Sequence, residues 1–324
     1  MRAIRFHRTG GPDVLALEEV DEPAVRPGCV VISVRAIGVN YADLHFRKGD
    51  YFIKPRLPDT PGMEAAGEIL EVGAGVTGLR VGQRVMAFGA AAYAEKMLAR
   101  ASHVYALPDA IGFEDAAALP VQGLTAMHVL SMHGRLAPGE GVLVHAAAGG
   151  VGALAVQIAR LRGAKVVIGT ASTPQKQALA LQLGADACFA AAADFPQRVK
   201  EATSGAGVDV VLEMLGGAET YKRNLACLAP FGRMVVYGAA GGDLRGTFEP
   251  VGLMGKNLTV TGYYLTSVLE DRGRCEPELM QLADWVATGA VKIVRGAPYR
   301  LAEAATAHEA LASRGSTGKL VLVP

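Results

Sequence analysis

The stretch GVLVHAAAGGVGALAVQIARLR, residues 141–162, decides the expected fold of this chain. It begins with an apolar run typical of a buried strand, passes through a turn rich in alanine and glycine, and continues with the apolar spacing of an amphipathic helix. The residues AKVVIGT at 164–170 again have the composition of a strand. A strand, a helix and a second strand in this order predict a βαβ unit with parallel strands.

The turn within this stretch is similar to the glycine fingerprint of dinucleotide-binding proteins. That fingerprint, GxGxxG, provides a tight turn, a bare backbone beside the pyrophosphate and close packing of helix on strand. Its six positions here run from Ala147 to Gly152, with Ala147 in place of the first glycine. Because the following helix starts with unpaired N–H groups, it can receive a phosphate. We predict that Gly149, Gly150 and Val151 contact the pyrophosphate.

The residues beyond the turn favour NADPH over NADH. Proteins that bind NAD usually place an acidic residue about 20 positions after the glycines, where it takes the ribose hydroxyls. No carboxylate occurs between Glu140 and Asp186, whereas the segment GTASTPQK at 169–176 offers hydroxyl groups and a cation. We therefore predict that Ser172 and Lys176 bind the 2′-phosphate, since a charge-assisted contact is among the stronger hydrogen bonds.

The order of strand-like and helix-like runs predicts two domains. Residues 1–120 contain short strand-like runs separated by glycine and proline, whereas residues 121–264 alternate strand and helix. We expect a β-rich domain followed by an α/β domain with a doubly wound parallel sheet. The segment 265–324 does not extend the alternation, and we assign it, with a strand-like VKIVRG at 291–296, to the first domain.

Composition excludes several classes of protein. The 324 residues have a formal net charge of +1, which argues against a nucleic acid as the main ligand and against an anionic membrane. No run predicts a membrane span and the first residues resemble no export signal, so we expect a cytoplasmic protein with a small substrate. The four cysteines, Cys29, Cys188, Cys227 and Cys275, lie far apart in the chain. This spacing argues against a disulfide framework and against a Cys-based zinc site, so we expect free thiols in the core.

These features together resemble the medium-chain dehydrogenase/reductase superfamily, and within it the zinc-independent, ζ-crystallin-like quinone oxidoreductases. The resemblance rests on the β-rich first domain, the AxxGGVG turn and the segment AIGVNYADLHFRKGDY at 36–51, and it extends over essentially the whole chain. It implies a GroES-like catalytic domain over 1–120, completed by 265–324, and a Rossmann domain over 121–264. It also implies NADPH-dependent reduction of quinones and a homodimer.

The resemblance also bears on metal chemistry. Zinc-dependent alcohol dehydrogenases of the superfamily hold a catalytic ion with cysteine and histidine, and Asn40 and Met63 stand at those positions here. Glu64 alone does not make a zinc site, so we predict a metal-free protein. Without a Lewis acid, alcohol oxidation is disfavoured, whereas quinones and α,β-unsaturated carbonyls accept a hydride with much less assistance.

The resemblance assigns further residues to the cofactor. It places a group of residues around the nicotinamide and its ribose: Asn40, Thr125, Tyr237, Gly238 and Ala239. It adds Arg314 as a second cation for the 2′-phosphate. A tyrosine that often follows the third strand is absent, because Ala191 stands there.

The resemblance also implies a catalytic role for Asn40, which helps to shape the substrate cleft. The proton donor of the reaction has two candidates, His45 and Tyr51. His45 stands where the family frequently has a tyrosine, and an imidazole titrates in a range suited to proton relay. Tyr51 carries a phenol in the same segment. We expect His128 and His133, in contrast, to be structural.

Two other functions remain open on the sequence. One is reduction of enones or enoyl thioesters by the same superfamily, and the other is a nonenzymatic NADPH-binding or RNA-binding role. The near-neutral charge and the lack of interleaved basic and aromatic residues argue against RNA.

Overall fold

The computed structural model describes residues 1–241, 246–247 and 249–324. Their contacts divide into two units: unit 1 consists of Met1–Leu124 and Val268–Pro324, and unit 2 of Thr125–Ser267. The C-terminal segment thus belongs with the first part of the chain. The functional boundaries expected at 120 and 264 stay a prediction, a few residues from these divisions.

The strands are, in chain order, β1 (Arg2–Arg5), β2 (Ala16–Glu19), β3 (Cys29–Val39), β4 (Glu64–Val72), β5 (Arg84–Phe88), β6 (Lys96–Arg100), β7 (Val104–Ala106), β8 (Gly141–Val144), β9 (Val166–Thr170), β10 (Ala187–Phe189), β11 (Val208–Glu213), β12 (Leu228–Val236), β13 (Thr259–Gly262), β14 (Tyr299–Arg300) and β15 (Leu320–Val323).

The α-helices are α1 (Tyr41–Lys48), α2 (Phe113–Ala116), α3 (Leu124–His128), α4 (Gly150–Leu161), α5 (Pro174–Gln182), α6 (Phe195–Ala202), α7 (Ala218–Cys227), α8 (Arg272–Ala287) and α9 (Ala304–Ala312). Short 3-10 helices are Pro12–Val14, Ala101–His103, Pro250–Lys256, Leu265–Ser267 and Leu301–Glu303, and π-helical turns are Leu119–Gly123 and Val129–His133.

Unit 2 is built on a parallel sheet with the order β10-β9-β8-β11-β12-β13. Numbered from β8 this order is 3-2-1-4-5-6, that of the doubly wound dinucleotide-binding fold. Leu143, Ile168, Val211 and Met234 lie in its buried core. The predicted α/β fold is confirmed. The strand order reverses between β8 and β11, and ligands of such sheets bind at the carboxyl ends of the strands beside this point.

Unit 1 contains a sheet with the order β14-β15-β3-β4-β5-β7, and β6 also pairs with β3. Its pairs are antiparallel except for the pairing of β14 with β15. Ile32, Ile69, Val85 and Leu322 belong to its buried core. The final strand therefore closes the sheet of the first part of the chain, which explains why the C-terminal segment belongs to unit 1.

Two local expectations need correction. VKIVRG is not a strand, since only Arg295 of this run forms an isolated bridge, to Lys319. The reason is that β14 pairs with β15 farther along, while Arg295 forms ion pairs with Glu114 and Asp115.

The cysteines are all free thiols, but only two of them are core residues. Cys227 and Cys275 are buried, whereas Cys29 and Cys188 are half-buried. Among the described residues, no helix combines the length and the apolar character required to cross a membrane.

Candidate cofactor and active site

The glycine turn joins the end of β8 to the start of α4. Gly149 is the N-cap of α4, and its N–H donates to the carbonyl of Ala146 at 2.7 Å. A Cβ atom on Gly152 would lie 2.1 Å from that same carbonyl oxygen, so only glycine fits there. The start of α4 therefore has a backbone free of side-chain bulk, and its first N–H groups have no partner within the helix. Gly149, Gly150 and Val151 lie at this point.

Ser172 lies on the next loop, between β9 and α5, and Lys176 lies in the first turn of α5. Because β8 and β9 are parallel, this loop follows the same edge of the sheet as the glycine turn. Thr173 caps α5 by accepting the N–H of Lys176 at 3.3 Å. Ser172 is exposed and Lys176 half-buried, and this partial burial lowers the pKa of the lysine.

The loops after β11 and β12 are tied together at this edge. Tyr237 donates its N–H to the carbonyl of Glu213 at 3.0 Å, and Ala240 donates to Met214 at 2.8 Å. These bonds fix the segment that contains Gly238 and Ala239. The predicted nicotinamide residues of unit 2 thus follow the end of β12, next to the loop after β11, except Thr125, which is buried in α3.

A buried group of four side chains underlies these loops, and we call it the edge cluster: His145, Thr170, Glu213 and Asn224. Asn224 donates to Glu213, and the second carboxylate oxygen of Glu213 accepts the N–H groups of Leu215 at 2.5 Å and Gly216 at 2.7 Å. These contacts place a carboxylate directly under the loop that follows β11.

The edge cluster also fixes the protonation of His145. The Asn224 amide group donates to Glu213, so its oxygen faces Nε2 of His145, at 2.7 Å. That nitrogen must then carry the hydrogen, and Nδ1 lies 2.8 Å from the hydroxyl oxygen of Thr170. Burial lowers the pKa of His145, although the charge of Glu213 opposes this. A neutral imidazole therefore links the ends of β8 and β9 to α7.

In unit 1 a second buried group surrounds Asn40, and we call it the amide cluster: Asn40, Glu64, Gln122 and Lys319. The Lys319 ammonium donates to Oε1 of Glu64 at 2.5 Å and to Oδ1 of Asn40 at 2.9 Å. The Asn40 Nδ2 group donates to the same Glu64 oxygen at 2.7 Å and to the carbonyl of Gly38 at 3.3 Å. Gln122 adds a bond from its Nε2 to the Asn40 oxygen at 3.2 Å.

The amide cluster is closed to water on three of its four side chains. Glu64 is 0%, Lys319 1% and Asn40 4% exposed. Burial lowers the pKa of Lys319, and the neighbouring Glu64 carboxylate opposes that effect. A Cβ atom on Gly38 would lie 2.3 Å from a Glu64 oxygen, so the glycine makes room for the carboxylate. The cluster is therefore a built feature of unit 1.

A hydrogen-bonded chain continues from Asn40 beneath α1. The Asn40 N–H donates to Oδ2 of Asp43 at 2.8 Å, and the Tyr93 hydroxyl donates to the same oxygen at 3.2 Å. Tyr93 contacts Nε2 of His308 at 3.0 Å, and Arg47 contacts Nδ1 at 3.0 Å. Because Arg47 can only donate, Nδ1 accepts, and Nε2 carries the hydrogen.

Burial sets the charges along this chain. It raises the pKa of Asp43 to about 7, against the opposing effects of the Asn40 N–H and the Lys319 charge. It lowers the pKa of His308 to about 3, helped by the charge of Arg47. His308 is therefore neutral at physiological pH, and the charge of Asp43 changes near neutrality.

The remaining predicted residues lie on α1, just after it, and after α9. His45 lies on α1, with Nδ1 2.8 Å from Oδ1 of Asp50, and the ring of Tyr51 lies 5.5 Å from that of Phe52. Arg314 is exposed, with a left-handed φ of 56°.

The two histidines predicted to be structural contact residues of unit 2. His128 meets the Tyr263 hydroxyl at 3.0 Å, and His133 meets the Thr261 hydroxyl at 3.1 Å.

Comparisons with known proteins identify the family. Residues 26–109 match the alcohol dehydrogenase GroES-like domain, and residues 150–285 match the zinc-binding dehydrogenase family. The quinone oxidoreductase of Rattus norvegicus is 38% identical over 330 residues, with 100% of this chain and 98% of the relative covered. That of Escherichia coli is 36% identical, with 99% of each chain covered. The chain belongs to the quinone oxidoreductase family.

A solved structure of the quinone oxidoreductase family agrees with this assignment. The crystal structure of the Escherichia coli enzyme complexed with NADPH has a TM-score of 0.94 and 35% identity, with 100% of both chains covered. The predicted superfamily, the GroES-like and Rossmann folds and the oxidoreductase class are thereby confirmed. The cofactor of that solved relative is NADPH, as predicted for this chain.

The match to a zinc-binding family raises the question of whether this chain fits a zinc ion. Asn40 and Met63 stand at the expected ligand positions, and both oxygens of Glu64 accept hydrogen bonds, Oε2 from the Val121 N–H at 2.7 Å. No group of three or more His, Cys, Asp or Glu side chains suited to a metal occurs in the described part of the chain. The carboxylate of Glu64 is the one acidic group at these positions, and the Lys319 ammonium already occupies one of its oxygens. These residues therefore do not fit a zinc ion.

Sequence reasoning did not identify Lys319, Gln122 or Asp43 as parts of a site. Lys319 precedes an apolar strand, where a lysine is normally solvated, yet it is 1% exposed. The sequence GKLVLVP could have indicated this burial, because Lys319 directly precedes an apolar strand. A strand that pairs within a buried sheet leaves little room for a solvated side chain at its start.

Proposed function

We propose that this protein reduces quinones with NADPH and without a metal ion. A hydride from NADPH and one proton would convert the quinone to the hydroquinone and leave NADP⁺. Delivery of single electrons would instead convert two quinones to two semiquinone anions and leave NADP⁺ and a proton. The observation that carries the proposal is the bare glycine turn at the carboxyl edge of a 3-2-1-4-5-6 parallel sheet. Full-length similarity to quinone oxidoreductases supports the choice of substrate.

The nucleotide half of the proposal assigns roles along the edge of unit 2. The N–H groups of Gly149, Gly150 and Val151 bind the pyrophosphate. Ser172 and Lys176 bind the 2′-phosphate, for which the half-buried ammonium is well suited. Outside unit 2, the family resemblance alone adds Arg314 as a second cation for the same phosphate.

The nicotinamide half of the proposal concerns the residues that the family resemblance assigns to this end of the nucleotide. They are Thr125, Tyr237, Gly238, Ala239 and Asn40. The amide of Asn40 already has four partners inside the protein, so its role is to position neighbouring groups.

The proton donor is proposed to be His45 or Tyr51. The contact between His45 Nδ1 and Asp50 Oδ1 at 2.8 Å favours the histidine, because a hydrogen bond to one ring nitrogen holds the imidazole in a defined orientation.

Two further features belong to the proposal. A homodimer formed along β13, the edge strand of the unit 2 sheet, would remove an unpaired strand edge, as symmetric pairing of sheets does. A cytoplasmic location agrees with the free thiols.

The test is a panel of electron acceptors with NADPH as the reductant. NADPH oxidation is followed with 9,10-phenanthrenequinone, 1,4-benzoquinone, crotonyl-CoA and 1-octen-3-one, each with and without a chelator. We expect turnover of the quinones, unchanged by the chelator. Faster turnover of crotonyl-CoA or 1-octen-3-one than of the quinones would show that enoyl thioesters or enones are the substrates. Loss of activity in the presence of the chelator would contradict a metal-free reaction. Binding of NADPH without any turnover would indicate a nonenzymatic role.

A further inference from the structure

We propose that Gln122 binds the nicotinamide end of the cofactor through its side-chain carbonyl oxygen, held in that orientation by Lys319, Glu64 and Asn40. This inference rests on the proposed function, which it deepens by naming the cofactor group that Gln122 recognises. It assigns to the amide cluster a role other than metal binding.

The two buried charges fix the orientation of Asn40. The Lys319 ammonium needs an acceptor and finds the Asn40 oxygen at 2.9 Å, while the Glu64 carboxylate needs a donor and finds the Asn40 nitrogen at 2.7 Å. The opposite orientation of the amide would set its NH₂ group against the ammonium and its oxygen against the carboxylate. Electrostatics in this buried environment therefore allows one orientation only.

The orientation of Gln122 follows from that of Asn40. The Gln122 Nε2 group donates to the Asn40 oxygen at 3.2 Å, and a reversed amide would bring two carbonyl oxygens together. The backbone beside it is also held, because the Val121 N–H donates to Glu64 at 2.7 Å. The oxygen of Gln122 is thus the group that points away from the cluster.

That oxygen lacks a donor in the described part of the chain. The Gln122 Oε1 atom is buried and accepts no hydrogen bond, whereas each polar atom of Asn40, Glu64 and Lys319 has a partner. A buried acceptor without a donor is costly, and a bound ligand that supplies an N–H or O–H recovers this cost. The ligand group at this position is therefore a hydrogen-bond donor.

The requirement for a donor distinguishes cofactor from substrate. A para-quinone substrate carries only carbonyl acceptors, so it gains nothing from the Gln122 oxygen when it binds, and O–H donors arise only on its hydroquinone product. The nicotinamide end of NADPH carries two kinds of donor, the carboxamide N–H₂ and the ribose hydroxyls. Gln122 lies in the π-helical turn Leu119–Gly123, which directly precedes the helix of Thr125. The cofactor is the ligand that fits.

The experiment measures nucleotide affinity by fluorescence titration of the full-length protein, without turnover. Q122L removes the acceptor and is expected to weaken NADPH binding about three- to tenfold, the effect of losing one neutral hydrogen bond. Q281L, which changes an exposed glutamine on α8, is the matched control and is expected to bind NADPH as the unaltered protein does.

The 3-acetylpyridine analogue of NADPH lacks the carboxamide N–H₂ and separates the two donors. If Q122L binds this analogue as well as the unaltered protein does, the donor is the carboxamide; if the loss persists, the donor is a ribose hydroxyl. Equal affinity of Q122L and the unaltered protein for both nucleotides would overturn the inference alone. Failure of the unaltered protein to bind NADPH would overturn the proposed function as well.

The orienting role of the ions is tested by the double variant E64Q/K319M, which removes both charges together. We expect it to weaken NADPH binding by a factor similar to that of Q122L, and the triple variant with Q122L to show no additional loss. Unchanged affinity in the double variant, or multiplied losses in the triple variant, would overturn the role of Lys319 and Glu64 as positioning residues.

Discussion

The edge cluster of unit 2 and the amide cluster of unit 1 are both buried and polar. They differ in the charges that they hold and in whether a side-chain oxygen is left without a hydrogen-bond donor. The edge cluster holds one carboxylate, Glu213, surrounded by a side-chain amide and backbone N–H groups. The amide cluster holds an ion pair and ends in the free oxygen of Gln122. The first therefore fixes backbone loops, whereas the second also leaves a group available to a ligand.

This difference matters for stability. A buried carboxylate satisfied by backbone N–H groups keeps most of its partners when one side chain is lost. A buried ion pair that loses one member leaves a lone charge, and that is among the most destabilising changes known. The two clusters can therefore be distinguished by substitution, and we expect the larger loss in the free energy of unfolding in the amide cluster.

The largest effect is expected for Lys319→Met. This change leaves the Glu64 carboxylate buried without its cation, and we expect a loss of about 3–5 kcal/mol in the free energy of unfolding. Urea denaturation at neutral pH measures it. The double variant E64Q/K319M is the control, and we expect it to regain most of the lost free energy of unfolding because neither charge is left unpaired. Equal destabilisation of the single and double variants would show that the unpaired Glu64 charge is not the cause.

The next effect depends on pH and concerns Asp43, beside the amide cluster. Its pKa is raised to about 7 in the folded protein, from an ordinary value of 3.8. The folded state thus binds this proton more tightly than the unfolded state does. Stability from the group is complete below pH 3.8 and is lost as the pH rises through about 7.

Asp43→Asn should remove this loss, because an amide oxygen accepts the same bonds from Asn40 and Tyr93. Between pH 5 and pH 8 we expect the free energy of unfolding of the unaltered protein to fall by about 3 kcal/mol more than that of the variant, since the loss accumulates over the two pH units below the folded pKa of about 7. Thermal unfolding at the two pH values measures it, and Asp284→Asn, at an exposed position on α8, is the control. The same pH dependence in the Asp43 variant would contradict the assignment.

A smaller effect is expected in the edge cluster for Asn224→Leu. The change removes one donor from Glu213 and leaves the Nε2–H of His145 without an acceptor, while the backbone donors to Glu213 remain. We expect a loss of about 1–3 kcal/mol, as for one unsatisfied buried group. Urea denaturation beside Lys319→Met makes the comparison direct; a loss larger than that of Lys319→Met would reverse the order of the clusters.

The smallest effect on the protein itself is expected for Lys176→Ala. Its role is in binding, so we expect several-fold weaker NADPH binding, nearly unchanged NADH binding and little change in stability. Titration with both nucleotides measures it, and Lys200→Ala, at an exposed position on α6, is the control. Equal losses for the two nucleotides would show that Lys176 does not contact the 2′-phosphate.

The regular parts of this protein were predictable from local patterns. The strand, turn and helix around Gly149 follow from apolar spacing and glycine content, and they are confirmed as β8 and α4. The strand predicted at 291–296 was wrong, because strand pairing depends on which neighbour is available, and β14 holds the position beside β15.

The sequence by itself determined the α/β class, the glycine turn and the family, because each depends on residues close together in the chain. The tertiary structure decided which polar residues act together. Glu64 and Lys319 are 255 positions apart, and His145 and Asn224 are 79 positions apart. Contacts across such separations leave no periodic signal, and burial alone converts these ordinary polar side chains into fixed charges and oriented amides.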